Sequence, residues 1–367
     1  MYIKQDDFES IFNFPCRVAL IPAVFLGQFP NDISVSRIYA ILKEIGFTHV
    51  FETESTNPIY THAKNKYLHE HSDNIPLIST FCPAIVRLIQ VKFPGLTDNL
   101  IPVKAPIDIT AMYVRSKFKK EGKYKDDEVG VFYITPCAAK IAAVKSPVGE
   151  EKSNVDGVIN MDALYNRVWK KIKEQGSGYK EVKLPIAQLS SDSILMSLTN
   201  GERRLSKAIH SLAIDEIDNV IEFLEKVEND EIEGVEFLEL RACDQSCPGG
   251  NLTCNNRFLT CEKMFARAHY VAGKERNGER TRESELENEK EYLYNNIEVG
   301  AIEPRSMLSL DTDIAKALEK MDRINSLRKT LPQIDCCICG APTCDAFAED
   351  VVCQRAEEKD CIFLQKK

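Results

Sequence analysis

Val235-Glu236-Phe237-Leu238-Glu239-Leu240-Arg241-Ala242-Cys243-Asp244-Gln245-Ser246-Cys247-Pro248-Gly249-Gly250 is the stretch on which the fold turns. Val235 to Leu240 is an apolar run that reads as a buried strand. Two cysteines follow in a Pro-Gly-Gly loop. A strand end is rigid, and glycine lets backbone approach a bulky inorganic group closely. Thiolates presented in this way are iron or zinc ligands in a cytosolic protein. The alternative is a pair of inert buried thiols in a turn, and the rest of the chain decides between the two.

Working outward, the same arrangement recurs. Arg17 to Phe25 reads as a buried strand running into a loop at Pro22. Ile33 to Ile45 has helical apolar spacing with Gly46 as its stop, and Phe47 to Phe51 is a short second strand. That strand-helix-strand unit is the signature of a parallel α/β sheet. Ile75 to Ser79 reads as a strand followed by Cys82-Pro83, and Ile85 to Phe93 as a helix ended by Pro94-Gly95. Val129 to Ile134 is a strand followed by Pro136-Cys137. Val155 to Ile159 reads as a strand and Met161 to Ile172 as a helix. Ile217, Val220, Ile221, Leu224 and Val227 mark an amphipathic helix before the strand that ends at Cys243. Cys82, Cys137 and Cys243 thus each lie within three residues of a strand end, with Cys247 in the same loop as Cys243. Ligands of open α/β sheets bind outside the carboxyl ends of the strands. Four thiolates at such an edge can hold a cubane cluster.

Composition supports this reading. The chain of 367 residues is 44% hydrophobic and 28% charged, ordinary for a globular protein of one or two domains. Its net charge of -9 disfavours nucleic acid, which needs a basic surface. No apolar run approaches the roughly 18 residues of a membrane span. The acidic start, Met1 to Asp7, does not read as a signal peptide, which points to the cytoplasm. The 13 cysteines are an odd number, against a disulfide framework, and the 6 histidines are too scattered for zinc sites that use His.

Residues 272–309 contain the mixed-charge run Lys274 to Glu283 and read as a charged linker. Thr312 to Leu327 reads as an amphipathic helix with Ile314, Leu318, Met321 and Ile324 on one face and Asp311 or Thr312 as cap, within a helical segment at 310–330. The end of the chain, 331–367, carries Cys336-x2-Cys339-x4-Cys344-x16-Cys361, a second four-thiolate set. So short a module buries little core, and a metal centre, zinc or iron-sulfur, must supply much of its folding energy.

Three segments together resemble the hydrogen-activating domain of [FeFe]-hydrogenases: Ser79-Thr80-Phe81-Cys82-Pro83-Ala84, Thr135-Pro136-Cys137-Ala138-Ala139-Lys140, and Glu239 through Gly250. Their order and spacing agree with that family, and the resemblance covers about residues 11–270. The terminal module resembles the four-cysteine [4Fe-4S] domain of corrinoid iron-sulfur proteins and of sensory [FeFe]-hydrogenases. Asn256-Arg257-Phe258 also points to the sensory branch. The resemblance implies an H-cluster, a [4Fe-4S] cubane joined to a two-iron unit with CO and CN ligands, in a domain spanning 1–271. Cys82, Cys137 and Cys243 would ligate the cubane. Cys247 would bridge it to the two-iron unit. Lys140 would hydrogen-bond a cyanide, and Pro22 would line the two-iron pocket. Cys336, Cys339, Cys344 and Cys361 would hold a separate [4Fe-4S] cluster.

The departures matter as much. In fast hydrogenases a cysteine precedes the first ligand and relays protons, and Phe81 stands there instead. The relay glutamates expected upstream are missing, with Ala63, Lys64 and Tyr67 around those positions. Thr135 and Arg241 replace methionines that pack on the two-iron unit, and Arg241 puts a fixed cation near an anionic cluster. The sequence has no counterpart of the family's usual N-terminal ferredoxin-like domains. These changes remove the proton path and shorten the electron path while the ligands stay. The resemblance therefore implies a slow, H2-reactive redox sensor that passes electrons through its C-terminal cluster. Its partners would be H2 and protons, a redox or signalling protein, and hydrogenase maturation proteins. The alternatives are an active hydrogenase (2 H+ + 2 e- ⇌ H2) with another proton path, and a non-catalytic iron-sulfur carrier or assembly factor. Cys16, Cys254, Cys261, Cys337 and Cys353 read as free thiols. His62, His69 and His71 read as surface or capping residues, and Ser197 to Glu202 as a turn only weakly similar to a segment near the two-iron site.

Overall fold

Two parallel sheets carry the strand ends on which the cysteines sit. The computed structural model describes residues 6–176, 189–276, 284–305, 310, 313–336 and 338–364. Its strands are β1 (Cys16–Ile21), β2 (His49–Glu52), β3 (Leu77–Ile78), β4 (Val129–Thr135), β5 (Gly157–Asn160), β6 (Ser211–Ile214) and β7 (Phe237–Leu240). One sheet has the order β2-β1-β4-β5 and the other β3-β7-β6, and every pair is parallel. Helices flank both, so the class is α/β as the sequence implies. All of β4 is buried. A parallel strand covered on both faces reads as a continuous apolar run, which is why 129–134 was legible as a strand. Its residues still alternate. Phe132 and Ile134 pack in one core with Ala19 and Ile21, while Val131 and Tyr133 pack in another with Val18 and Leu20.

Several elements differ from the sequence expectation for identifiable reasons. The strand from Arg17 ends at Ile21 because Pro22 lacks the N–H that would extend the ladder, and Pro22 instead precedes a single helical turn, Ala23–Leu26. β3 shrinks to two residues but is bonded on both sides, to Leu238 and Glu236 through the backbone and to Ile101. The helices Asn57–Glu70 and Pro106–Glu121 have no counterpart in the sequence reading. Pro106–Glu121 buries residues around most of its circumference, which removes the one-sided stripe that periodicity detects. β6 is a half-exposed edge strand that ordinary composition conceals.

The stretch read as a linker is not a solvated tether among the described residues. The helix Arg257–Arg276 continues past the expected boundary. Farther on, Leu286, Leu293 and Ile297 insert into the core that contains Val18 and Val131. Glu298 bridges Val103, and the amide of Gly300 donates to Gly149 O at 2.9 Å. Gly149 has a φ of +72°, and a Cβ there would lie 2.6 Å from Gly300 O, so glycine is required on both counts. Charge density masked three well-spaced apolar anchors.

The helix Ile314–Thr330 is capped by Asp313, whose carboxylate accepts the Ala315 amide. The caps expected at Asp311 or Thr312 lie outside the described residues. Ile324 and Leu327 pack with Leu331, Phe347 and Val351. Leu318, expected on that face, is 58% exposed. The module is anchored to the main body by an ion pair between Arg87 and Asp350 that is mostly shielded from water. No helix among the described residues is long and apolar enough to cross a membrane.

The packing of Leu293 yields a test. Removing a buried leucine side chain costs about 2–5 kcal/mol. Leu293→Ala should lower the unfolding free energy by that amount in chemical denaturation, whereas a free tether would show no change.

Candidate functional site

Cys82 and Cys137 occupy equivalent local positions. Each is the residue before a helix, Pro83–Lys92 and Ala138–Lys145 respectively. Proline is favoured at a first helical position because its missing N–H has no partner there anyway. Their strands, however, belong to different sheets. β3 and β7 deliver Cys82 and Cys243, and β4 delivers Cys137. The thiols are therefore gathered across a seam between two sheets rather than along a single edge.

The loop after β7 closes that seam. The amide of Leu252 donates to Pro136 O, and Asn251 Oδ1 accepts the Ala138 amide at 3.1 Å. A Cβ at Gly250 would lie 2.3 Å from Pro136 O, and one at Gly249 2.0 Å from Asp244 O and 3.4 Å from Cys243 Cβ. Gly250 thus allows this loop to press on the Pro136-Cys137 segment, and Gly249 lets the loop fold back tightly on itself. Lys140 lies at the centre. Its Nζ is 3.3 Å from Cys247 Sγ and 5.2 Å from the centroid of Phe81. Burial opposes its charge, but Cys247, Tyr133, Cys137 and Cys82 around it hold its pKa well above that of an ordinary lysine. Burial pushes the Cys137 thiol up to about 11 against the pull of Lys140. Such a thiol gives up its proton when a cation takes its place. Cys82, Cys137 and Cys247 are brought together around Lys140, while Cys243 stands at the start of the loop that carries Cys247, its carbonyl accepting the Ser246 amide.

A small cavity opens beside Cys247, lined by Pro22, Glu54, Phe81, Tyr133 and Lys140 among others. Two further lining residues carry buried polar atoms without a hydrogen-bond partner, Asn57 Oδ1 and Ser197 Oγ. Buried polar atoms are normally satisfied, so this pair fits a polar guest. Ser197 belongs to the turn the sequence reading set aside.

Phe81 is walled in. The Arg241 guanidinium carbon stands 3.9 Å from its ring centroid, on one side of a site that Lys140 also faces. Arg241 itself is fully buried and bonded to Glu202 at 2.8 Å and Glu239 at 3.4 Å. It is therefore a fixed cation paired with two buried carboxyl groups. Its Nη1 is unpartnered. Glu202 also accepts from the Tyr60 hydroxyl (2.7 Å) and the Ser79 hydroxyl (2.6 Å), and its main-chain oxygen accepts from Lys64 Nζ (3.1 Å). Burial opposes ionisation of Glu202, but Arg241, Lys64 and the two hydroxyls outweigh it and hold its pKa below the carboxylate norm. Lys64 is thus part of a fixed ion network. Ala63 is buried in the core, and Tyr67 stacks on His71.

The second cysteine set converges more simply. Cys336, Cys339, Cys344 and Cys361 all line one small cavity with Leu331 and Phe347. Burial pushes the Cys339 thiol up to about 12. Four thiols lining one cavity are a ligand set that either a zinc ion or an iron-sulfur cluster can use. Cys16 is buried beside His49, Cys261 is buried, and Cys254 is exposed. Cys353 is half-buried in the terminal module, and Cys337 lies outside the described residues. His62 packs on Tyr294.

The ion network gives a direct test. Removing one member of a buried charge pair costs about 3–5 kcal/mol because the other is left uncompensated. Arg241→Met should destabilise the protein by that amount in denaturant, and a loss under about 1 kcal/mol would show that the carboxylates are already neutral.

Comparison with known proteins agrees with the geometry. The family model for the C-terminal domain of the iron only hydrogenase large subunit matches residues 17–201, and an Fe-S cluster model matches residues 331–363. Iron hydrogenase 1 of Clostridium pasteurianum is 22% identical over 252 residues, 65% of this chain and 42% of that protein. The periplasmic [Fe] hydrogenase large subunit of Nitratidesulfovibrio vulgaris is 24% identical over 180 residues, 48% of this chain and 41% of that one. The chain thus spans about two fifths of the length of these relatives. Among solved structures, a variant of [FeFe]-hydrogenase HydA1 from Chlamydomonas reinhardtii superposes with a TM-score of 0.57 at 14% identity, covering 81% of this chain and 98% of that one. That likeness shows a shared fold. With half of its length matched by the family model, this chain belongs to the family defined by the C-terminal domain of the iron-only hydrogenase large subunit, and it carries a C-terminal Fe-S region.

Proposed function

We propose that the protein is a slow, H2-reactive redox sensor that binds an H-cluster and exchanges electrons through its terminal cluster. The observation that carries this is Phe81, buried between the faces of Arg241 and Lys140 where a relay thiol would be needed. General acid-base transfer requires a titratable group within hydrogen-bond reach. Phe81 has none, and the Glu202 behind it is held as a carboxylate by Arg241 and Lys64. The same packing leaves no proton relay through the Phe81 position.

In this reading Cys82, Cys137, Cys243 and Cys247 hold the cubane, and Cys247 bridges to a two-iron unit in the cavity beside it. Bound there, that unit supplies the reversible chemistry of H2. Lys140 places a charged donor at the cavity, with Asn57 and Ser197 as additional polar contacts. Pro22 and Tyr133 line the cavity and help keep it small and dry. The domain division is a hydrogen-activating unit over 1–271 and a [4Fe-4S] module over 331–367; between them Leu286, Leu293 and Ile297 pack on the first and the Ile314–Thr330 helix on the second. The two meet closely. A Cβ at Gly340, next to Cys339, would lie 3.1 Å from Ala138 O, next to Cys137. That backbone contact supports direct electron exchange between the two cysteine sets. Loading would require maturation proteins, and the output a redox or signalling partner.

Infrared spectroscopy of protein matured with a two-iron precursor tests the loading, since CO and CN stretching bands report an assembled cluster. Wild-type turnover per assembled cluster should be slow, and Phe81→Cys should raise it partially. Acid-base relays contribute roughly 100-fold or more, and the carboxylates farther along remain absent. Wild-type turnover matching a dedicated hydrogenase would overturn the sensor reading. For the module, Cys339→Ser should remove about four irons and leave the main site loaded. Loss of one zinc instead would identify a zinc module.

A further inference from the structure

One carboxyl group that lines the cavity does not belong to the Arg241 network. Glu54 is 4% exposed and lines the same cavity as Lys140 and Cys247. It sits on a 3-10 turn, Thr53–Thr56, that follows β2 directly. One of its oxygens accepts the Ala23 amide at 2.8 Å, and the other the Thr53 hydroxyl at 3.1 Å. Among the described residues no cation pairs with it, in contrast to the other buried glutamates near the site. Glu52 is held by both Arg267 nitrogens at 2.7 Å and by the Tyr39 hydroxyl at 2.9 Å. Glu202 and Glu239 share Arg241.

We propose that Glu54 is the proton-exchanging residue of the cavity, a one-proton store that serves the H2 reaction in place of the blocked route at Phe81. This rests on the hydrogenase-like reading above. The charged and titratable groups around it are Glu52 on β2, Arg267 on the long Arg257–Arg276 helix, Tyr39 on the Val35–Glu44 helix, Tyr133 on β4, Lys140 on its helix, and Cys247. Lys140 and Tyr133 are both held in one protonation state across the neutral range, the lysine charged and the phenol neutral. Burial, then the nearby charge of Glu52, raises the Glu54 carboxyl to about 7, while the Ala23 amide works the other way. It is thus half-protonated near neutral pH, the condition in which a group serves equally as acid and base.

In H2 formation the Glu54 O–H bond breaks, the proton goes to the reacting centre, and the resulting carboxylate is reprotonated from solvent. The two electrons arrive through the clusters, and the second proton follows by the same cycle. H2 oxidation runs the steps in reverse. The Glu52 carboxylate behind Glu54 is locked by Arg267 and Tyr39, so no continuous carboxyl relay leads outward through it. Refilling from solvent is then the slow step, consistent with a sensor rather than a fast enzyme.

The experiment uses the full chain and the variants Glu54→Gln and Glu54→Asp. Difference infrared spectra of protein without the two-iron unit, between pH 5 and pH 9, should show a carboxyl C=O band that titrates near 7 in wild type and is absent in Glu54→Gln. In matured protein, the populations of the CO and CN bands should depend on pH in wild type and lose that dependence in Glu54→Gln. Turnover per assembled cluster should fall roughly 100-fold. Glu54→Asp keeps the carboxyl and should retain the titration, which separates loss of the proton store from misfolding. Unchanged turnover and an unchanged pH dependence in Glu54→Gln would overturn the proposal. Absence of CO and CN bands in wild type would instead overturn the H-cluster reading, and the carboxyl titration would then still decide whether Glu54 holds a mobile proton.

Discussion

The buried guanidinium of Arg241 ties the site together. It leaves the end of β7, bonds Glu202 of a distant turn and Glu239 of its own strand, and lies over the ring of Phe81. Through Glu202 it connects to Tyr60 and Lys64 on the Asn57–Glu70 helix and to Ser79 at the end of β3. Four chain segments thus share one buried network. Charges so deep must be compensated or they unfold the surrounding structure. The same compensation fixes their protonation states. Charges fixed in this way are poorly suited to passing protons.

The carboxyls around the site differ in character. Glu202 and Glu239 share the Arg241 cation, yet Arg241, Lys64 and two hydroxyls lower the Glu202 carboxyl while burial raises that of Glu239. Glu54 lines the cavity with an amide and a hydroxyl as its donors. Burial acts on all three, and only at Glu202 do the neighbouring cations outweigh it. Lys140 lines the same cavity, with its charge maintained by the surrounding thiols and phenol. The contact of Gly340 with Ala138 places the terminal module against the helix that starts beside Cys137, and the Arg87–Asp350 pair holds it there.

The alternation of parallel strands and helices was legible in the sequence because buried parallel strands are continuous apolar runs bounded by proline and glycine. So was the placement of the cysteines, since Cys82, Cys137 and Cys243 each follow such a run closely in the chain. Elements whose apolar residues do not fall on one face, such as Pro106–Glu121, were not legible. Residues 284–305 read as a tether because charged neighbours hide Leu286, Leu293 and Ile297, each of which is buried against a core formed by segments far away in sequence.

The sequence by itself determined the α/β class, the spacing of the two four-cysteine sets and the presence of Phe81 beside Cys82, because each is written in the identity and local spacing of residues. Only the tertiary structure decided that the thiols come from two sheets, that Arg241 is paired, and that Glu54 lines the cavity without an ion-pair partner among the described residues. Glu52, Glu54, Glu202 and Glu239 are chemically alike in one dimension. Their ionisation is set by desolvation and by charges brought close from other segments, and those distances exist only once the chain has folded.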